Sequence, residues 1–282
     1  MKEIIEKISK KLGKDCEVKG VTVQKTNGPR DGIQVTLKVH PQVGATFYPN
    51  NNISVDENVD GIVDAVYQEL TPERIREVLR VTEILKDKDF VRSHLQIKMV
   101  NYELNQDWIQ DAIYEPILDL AAVVYIVLEQ KDDVFKSVML KKKQLSEIGF
   151  SEEEVLDLAK RNIPEPKLMD IFAAVDPFAD TYMDDCVMMD CGMYVMSNPS
   201  KTNGAASILS PALKKIADIN NCDLIIIPSS VHEVILMKDG IMDREFLNQT
   251  ISKVNADVVD PYEKLSDHAY VYRRKSQTLE FF

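Results

Sequence analysis

The run Ser229-Ser230-Val231-His232-Glu233 carries the densest set of reactive side chains in the chain. A hydroxyl beside an imidazole and a carboxylate is the raw material of acyl transfer. The imidazole takes the hydroxyl proton, and the carboxylate fixes the imidazole's tautomer. The spacing works against that use. On an extended strand Ser230 and His232 point to one side and Glu233 to the other, so Glu233 is unable to orient His232. No Gly-x-Ser-x-Gly elbow, which would lift a serine out of a sheet, occurs anywhere. The run therefore reads as a bend in which the serines satisfy backbone groups and His232 makes a buried hydrogen bond. A hydrolase using Ser229 or Ser230 with His232 is the alternative.

Metal chemistry fits these residues less well. His-Glu-x-x-His needs a second histidine where Leu236 stands. Cys186 and Cys191 have a zinc-knuckle spacing but lack a second pair of ligands. The acidic run Asp180, Asp184, Asp185 and Asp190 lacks a calcium loop's spacing and central glycine, so it reads as a solvated loop. Neither Gly-x-Gly-x-x-Gly nor Gly-Lys-Ser/Thr occurs, so no cofactor and no metal are expected. Asn203-Gly204 offers backbone amides to a ligand, or a tight turn that needs positive φ; the two uses are compatible. Trp108, Tyr102 and Tyr114 read as packing. The residues expected at a binding site are Asn198, Asn203, Gly204, Ser230, His232 and Glu233, which sit at element ends and beside turns.

The stretch Met193 to Met237 has to position them. It reads as a strand, a polar loop, a helix opened by Ser210-Pro211, a buried strand over Leu224–Ile227, a Pro-Ser-Ser turn and another strand. In the helix Leu213, Ile216, Ala217 and Ile219 face inward. Asp243 then caps a helix with Leu247, Ile251 and Val254 inward, and two closing strands form an edge hairpin. Upstream, Ile4, Ile5, Ile8 and Leu12 share a helical face. Val18–Lys25 pairs with a strand in which Ile33, Val35, Leu37 and Val39 alternate with polar residues. Thr71-Pro72 opens a helix burying Ile75, Val78, Leu79 and Leu85. In the middle, His94–Val100 and the β-branched run within Ile117–Leu128 read as strands, with Val134–Leu140 closing a hairpin. Ser151 and Glu154 form a capping box, and a loop runs from Pro164 to about Asp185. The grammar is α+β, with mostly antiparallel sheets and covering helices in two or three lobes: residues 1–90, 91–178 and 179–282.

Composition narrows the partners. The 282 residues are 45% hydrophobic and carry a net charge of −12. That field repels phosphate backbones and anionic bilayers, so neither nucleic acid nor a membrane is an expected partner. The longest apolar run, Leu120 to Leu128, is too short to span a bilayer. Four dispersed cysteines and an amphipathic N-terminus without a leader pattern point to reduced thiols in a cytoplasm.

Several segments together resemble a domain-of-unknown-function family found in anaerobic Gram-positive gut bacteria. They are Met193-Tyr194-Val195-Met196-Ser197-Asn198, Asn203-Gly204-Ala205-Ala206 and Pro228 through Ile235. Val100-Asn101-Tyr102-Glu103 with Asn105, Leu118-Asp119-Leu120-Ala121, and Leu158-Ala159 with Asn162 extend the likeness. Members tend to carry Ile-Ser-Pro-Thr-Ile-Tyr where this chain has Val43-Gly44-Ala45-Thr46-Phe47-Tyr48. Asn162, Pro228 and His232 are also similar to a pattern of the YtpQ-type uncharacterised family. These resemblances imply a common pattern of turns and no reaction, cofactor or partner. The leading expectation is a non-catalytic binding or interaction protein. A third reading is an assembly subunit, a homo-oligomer or a protein complex, pairing through the C-terminal edge strand.

Overall fold

A computed structural model describes residues 1–131, 134–175, 182–183 and 185–282. Asp180 and Asp184 of the acidic run lie outside the described residues. The architecture is α+β with three sheets, and every strand pairing among the described residues is antiparallel. The chain divides into two compact units, Met1–Asp87 and Lys88–Phe282. The stretches 91–178 and 179–282, read separately from sequence, fall in the second unit.

In the first unit, helix α1 (Lys2–Leu12) precedes a meander of β1 (Cys16–Lys25), β2 (Gly28–Leu37) and β3 (His40–Phe47). Helices α2 (Val55–Glu69) and α3 (Pro72–Ile84) follow. Ile4 and Ile8 of α1, Ile33 and Val35 of β2, and Val59, Ile62, Val63 and Val66 of α2 form one core. The helical and strand periods thus deliver their apolar faces to the same place. Two sequence expectations fail. Val39 is exposed because β2 ends at Leu37 and leaves it in the turn. In α3, Ile75 is buried, whereas Val78 and Leu79 are 49% and 42% exposed. An apolar stripe is buried only where a surface lies against it, and for α3 that surface stops near Ile75.

The second unit holds two sheets. Helix α4 (Lys88–His94) leads into β4 (Leu95–Asn101), followed by the short helix α5 (Gln106–Ile109), β5 (Tyr114–Ile117), β6 (Leu120–Lys131) and β7 (Val134–Met139). β4 lies along one edge of β6, and β5 and β7 share the other. Val123, Val124, Ile126 and Val127 are all buried in β6. Tyr102, Trp108 and Tyr114 pack against the cluster of Val100, Ile109, Ala121 and Val123. Helices α6 (Lys142–Ile148) and α7 (Glu152–Arg161) come next, α7 opened by the Ser151/Glu154 capping box.

β8 (Lys167–Asp170) and helix α8 (Ile171–Val175) occupy a segment read from sequence as loop. Two buried side chains, Leu168 and Met169, are too short a signal to announce a strand. The remaining elements are β9 (Tyr194–Ser197), a 3-10 helix over Gly204–Leu209, α9 (Ala212–Asn220), β10 (Leu224–Ser230), β11 (Glu233–Lys238), α10 (Arg244–Asp257), β12 (Tyr270–Arg273) and β13 (Thr278–Phe281). They build a six-stranded sheet in the order β13-β12-β10-β11-β9-β8. Ile225, Ile227 and Met237 meet Leu247 and Ile251 of α10 on one face. Val254 and Ile219, expected inward, are exposed.

Candidate functional site

The β10–β11 connection is tighter than the sequence suggested. Pro228, Ser229 and Ser230 belong to β10, Ser230 pairs with Glu233, and the turn is Val231-His232. The register shifts between Ile227 and Ser230, which puts Pro228 at an irregularity where a residue without an N–H is tolerated.

Nearly every polar group of this turn is taken. The His232 amide donates to Ser230 Oγ at 3.1 Å. The His232 carbonyl accepts from Ser197 Oγ at 2.7 Å. Val231 donates to the Glu263 carbonyl at 3.0 Å and accepts from the Ala205 amide at 3.2 Å. The imidazole is held from both sides. Its Nδ1 accepts from the Asn203 amide at 3.3 Å, which places the ring proton on Nε2, 3.3 Å from Glu263 Oε1. Among the described side chains, neither ring nitrogen contacts a serine hydroxyl, and Ser230 Oγ is engaged by the His232 amide. The carboxylate that orients His232 is Glu263, thirty-one positions away in sequence, and not its neighbour Glu233.

The loop after β9 closes on that turn. Asn198 folds it: Oδ1 accepts from Ser200 Oγ at 3.0 Å and the Thr202 amide at 3.2 Å, while Nδ2 donates to the Thr202 carbonyl at 2.7 Å. Lys201 and Asn203 both take left-handed backbone, with φ of 52° and 54°. Asparagine suits that conformation by its short polar side chain, and a lysine there is uncommon. Gly204 has ordinary φ. Its requirement is space: a Cβ would overlap Ser197 Oγ and the His232 carbonyl oxygen. Asn203 is buried and donates through Nδ2 to Tyr125 Oη at 3.0 Å, and Tyr125 Oη donates to Gln96 Oε1 at 3.1 Å. Burial pushes the Tyr125 hydroxyl up to about 12, an effect moderated by the Asn203 hydrogen bond.

The loop and Glu233, the first residue of β11, share a cavity that neither Val231 nor His232 lines. The cavity measures about 70 Å³ and is lined by Lys167, Met169, Ala174, Tyr182, Val195, Ser197, Asn198, Lys201 and Glu233. The register builds its floor. Lys167 pairs with Ser197 and Met169 with Val195, and Val234 opposite Met196 sets Glu233 beside Ser197 on the same side. A cationic and an anionic side chain thus flank Ser197 on adjacent strands. Neither Lys167, Lys201 nor Glu233 forms an ion pair among the described residues. Of the residues expected from sequence, Asn198 and Glu233 line this cavity, and Asn203, Gly204, Ser230 and His232 do not. Lys167 and Lys201 were not expected there, because β8 shows no period and nothing in Lys201 announces its backbone conformation.

With this geometry established, comparison places the chain. A model described as a family of unknown function, DUF5688, matches residues 1–274. The chain belongs to DUF5688. This family member matches no curated protein and no solved structure. The match spans both units, so the loop, the turn and the cavity all lie within the family region. Among the described residues of this DUF5688 chain, no helix is long and apolar enough to cross a membrane, and no three His, Cys, Asp or Glu side chains are grouped as metal ligands would be.

Proposed function

We propose that this DUF5688 protein is a cytosolic, non-catalytic binding protein whose ligand is a small zwitterion of the amino-acid class. One observation carries the reading: Lys167, Lys201 and Glu233, unpaired with one another, line one small cavity floored by Ser197 and Val195. Strands lie about 4.8 Å apart, so Lys167 and Glu233 are two strand spacings apart, a fitting span for a carboxylate at one end and an ammonium at the other. The size of about 70 Å³ is far below the roughly 300–1,000 Å³ of drug-sized sites. Met169, Val195 and Ala174 supply the apolar part of the wall. A cytosolic setting accords with four free thiols. The commitment of both His232 ring nitrogens and of Ser230 Oγ to structural contacts favours binding over hydrolysis.

The test is a thermal-shift and calorimetric titration of the full chain with the free amino acids. A true ligand at a hundred times its Kd stabilises by about 2.7 kcal/mol, a readily measured rise in Tm. The rise should vanish in Lys167→Ala and Glu233→Gln and persist in Ser230→Ala. A panel without any shift, or a shift indifferent to Lys167 and Glu233, sinks the proposal. Ester hydrolysis by the wild type that is abolished in His232→Ala would restore the hydrolase reading.

A further inference from the structure

A second, smaller cavity, about 10 Å³, also lies against the 198–204 loop. Its wall combines Gln96 and Ile97 of β4, Ile163 and Pro164 after α7, and Asn198, Asn203, Gly204, Ala206 and Ser207. Ser207 is 1% exposed, and its Oγ is the one buried side-chain polar atom among the described residues without a hydrogen-bond partner. Its carbonyl is engaged, accepting from the Ser210 amide and hydroxyl. Native proteins almost always satisfy a buried hydroxyl, with protein or with ordered water.

We propose that this cavity binds a single water molecule as an integral part of the fold, with Ser207 Oγ as one of its partners. Three features fit water and little else. The space, about 10 Å³, admits a water and nothing much larger. The polar wall groups are neutral amides and a hydroxyl, which offer both donors and acceptors. A bound water also needs two to four such partners, and Gln96, Asn198 and Asn203, each with a side-chain amide, line the same cavity. The water completes a circuit. Asn203 donates to Tyr125, Tyr125 donates to Gln96, and both ends return to the cavity, where the water joins them to Ser207. The 3-10 helix over Gly204–Leu209 is thereby tied to β4 through solvent as well as through side chains. This inference is independent of the zwitterion site, which lies in the other cavity.

Crystal structures of the wild-type 282-residue chain and of Ser207→Ala, together with their melting temperatures, test it. The wild type should show one density peak at hydrogen-bonding distance, about 2.7–3.0 Å, from Ser207 Oγ. Ser207→Ala should lose or displace that peak and melt about 2–4 °C lower, because the water forfeits a partner. An orphaned dry hydroxyl predicts the opposite sign, since its removal relieves an unsatisfied group and raises Tm. Absence of the wild-type peak, or a Tm that is unchanged or raised in Ser207→Ala, overturns the proposal. If Ser207→Ala does not fold, the wild-type density alone decides.

Discussion

Gly204 sits where three chain segments meet: the end of β9, the left-handed Asn203 and the Val231-His232 turn. Because a Cβ there would strike Ser197 Oγ and the backbone of His232, Gly204→Ala must push two hydrogen-bonded segments apart. We expect a loss of about 3 kcal/mol or more, at the upper end of overpacking costs, read from urea denaturation. A loss under about 0.5 kcal/mol would mean the packing is looser than described. Tyr125 gives a second residue-level prediction. Its hydroxyl stays neutral in the fold up to about 12, against an ordinary value of 10.0. The unfolded chain therefore loses the proton first, and stability present below pH 10 drains away as pH rises towards 12. The contribution at stake is about 2–3 kcal/mol. Denaturation at pH 9 and pH 11.5 should show a steeper fall in wild type than in Tyr125→Phe; equal slopes would refute it. The residues that could be read from sequence were those that act locally. Asn203 announces a left-handed turn, and Ser230 a hydroxyl that closes a bend. Glu263, Tyr125 and Gln96 could not be read, because their roles exist only once distant strands are paired.

At the scale of elements, the sequence was most legible where a period runs long and both ends are marked. The β1–β2 hairpin, β6, the capped α7 and the Asp243-capped α10 all have that character. Short elements were not legible: β8 shows only two apolar residues, and the 3-10 helix over Gly204–Leu209 has too few residues to display a period. The β10–β11 turn lies at Val231-His232, just beyond the Pro-Ser-Ser expected from sequence, because Pro228 looks like a turn residue, whereas it occupies an irregularity inside a strand. Helix α3 shows the other kind of failure, in which the pattern is present but the surface is not. Ile75→Ala should cost about 2–4 kcal/mol as a buried truncation, whereas Val78→Lys should stay within about 0.5 kcal/mol. Chemical denaturation monitored on the first unit separates them, and a Val78→Lys cost matching that of Ile75→Ala would show that α3 buries its whole stripe.

At the scale of the whole molecule, the two units differ in what they hold. Met1–Asp87 has its own closed meander and its own core of α1, β2 and α2 residues. Lys88–Phe282 holds both cavities, the His232–Glu263 contact and a further polar tie: Asp119, in the β5–β6 turn, accepts from Ser266 Oγ and Tyr270 Oη, each at 2.6 Å. That tie links the four-stranded and six-stranded sheets inside one unit, in which the stretches 91–178 and 179–282 both lie. A unit with a complete core and internally paired strands should fold alone. Residues 88–282, expressed separately, should therefore unfold cooperatively and retain the stabilisation by a zwitterionic ligand seen in the full chain. Residues 1–87 should fold without binding it. Circular dichroism and the same titration on each fragment check this. An 88–282 fragment that is unfolded, or folded but unable to bind what the full chain binds, would show that the first unit completes the site.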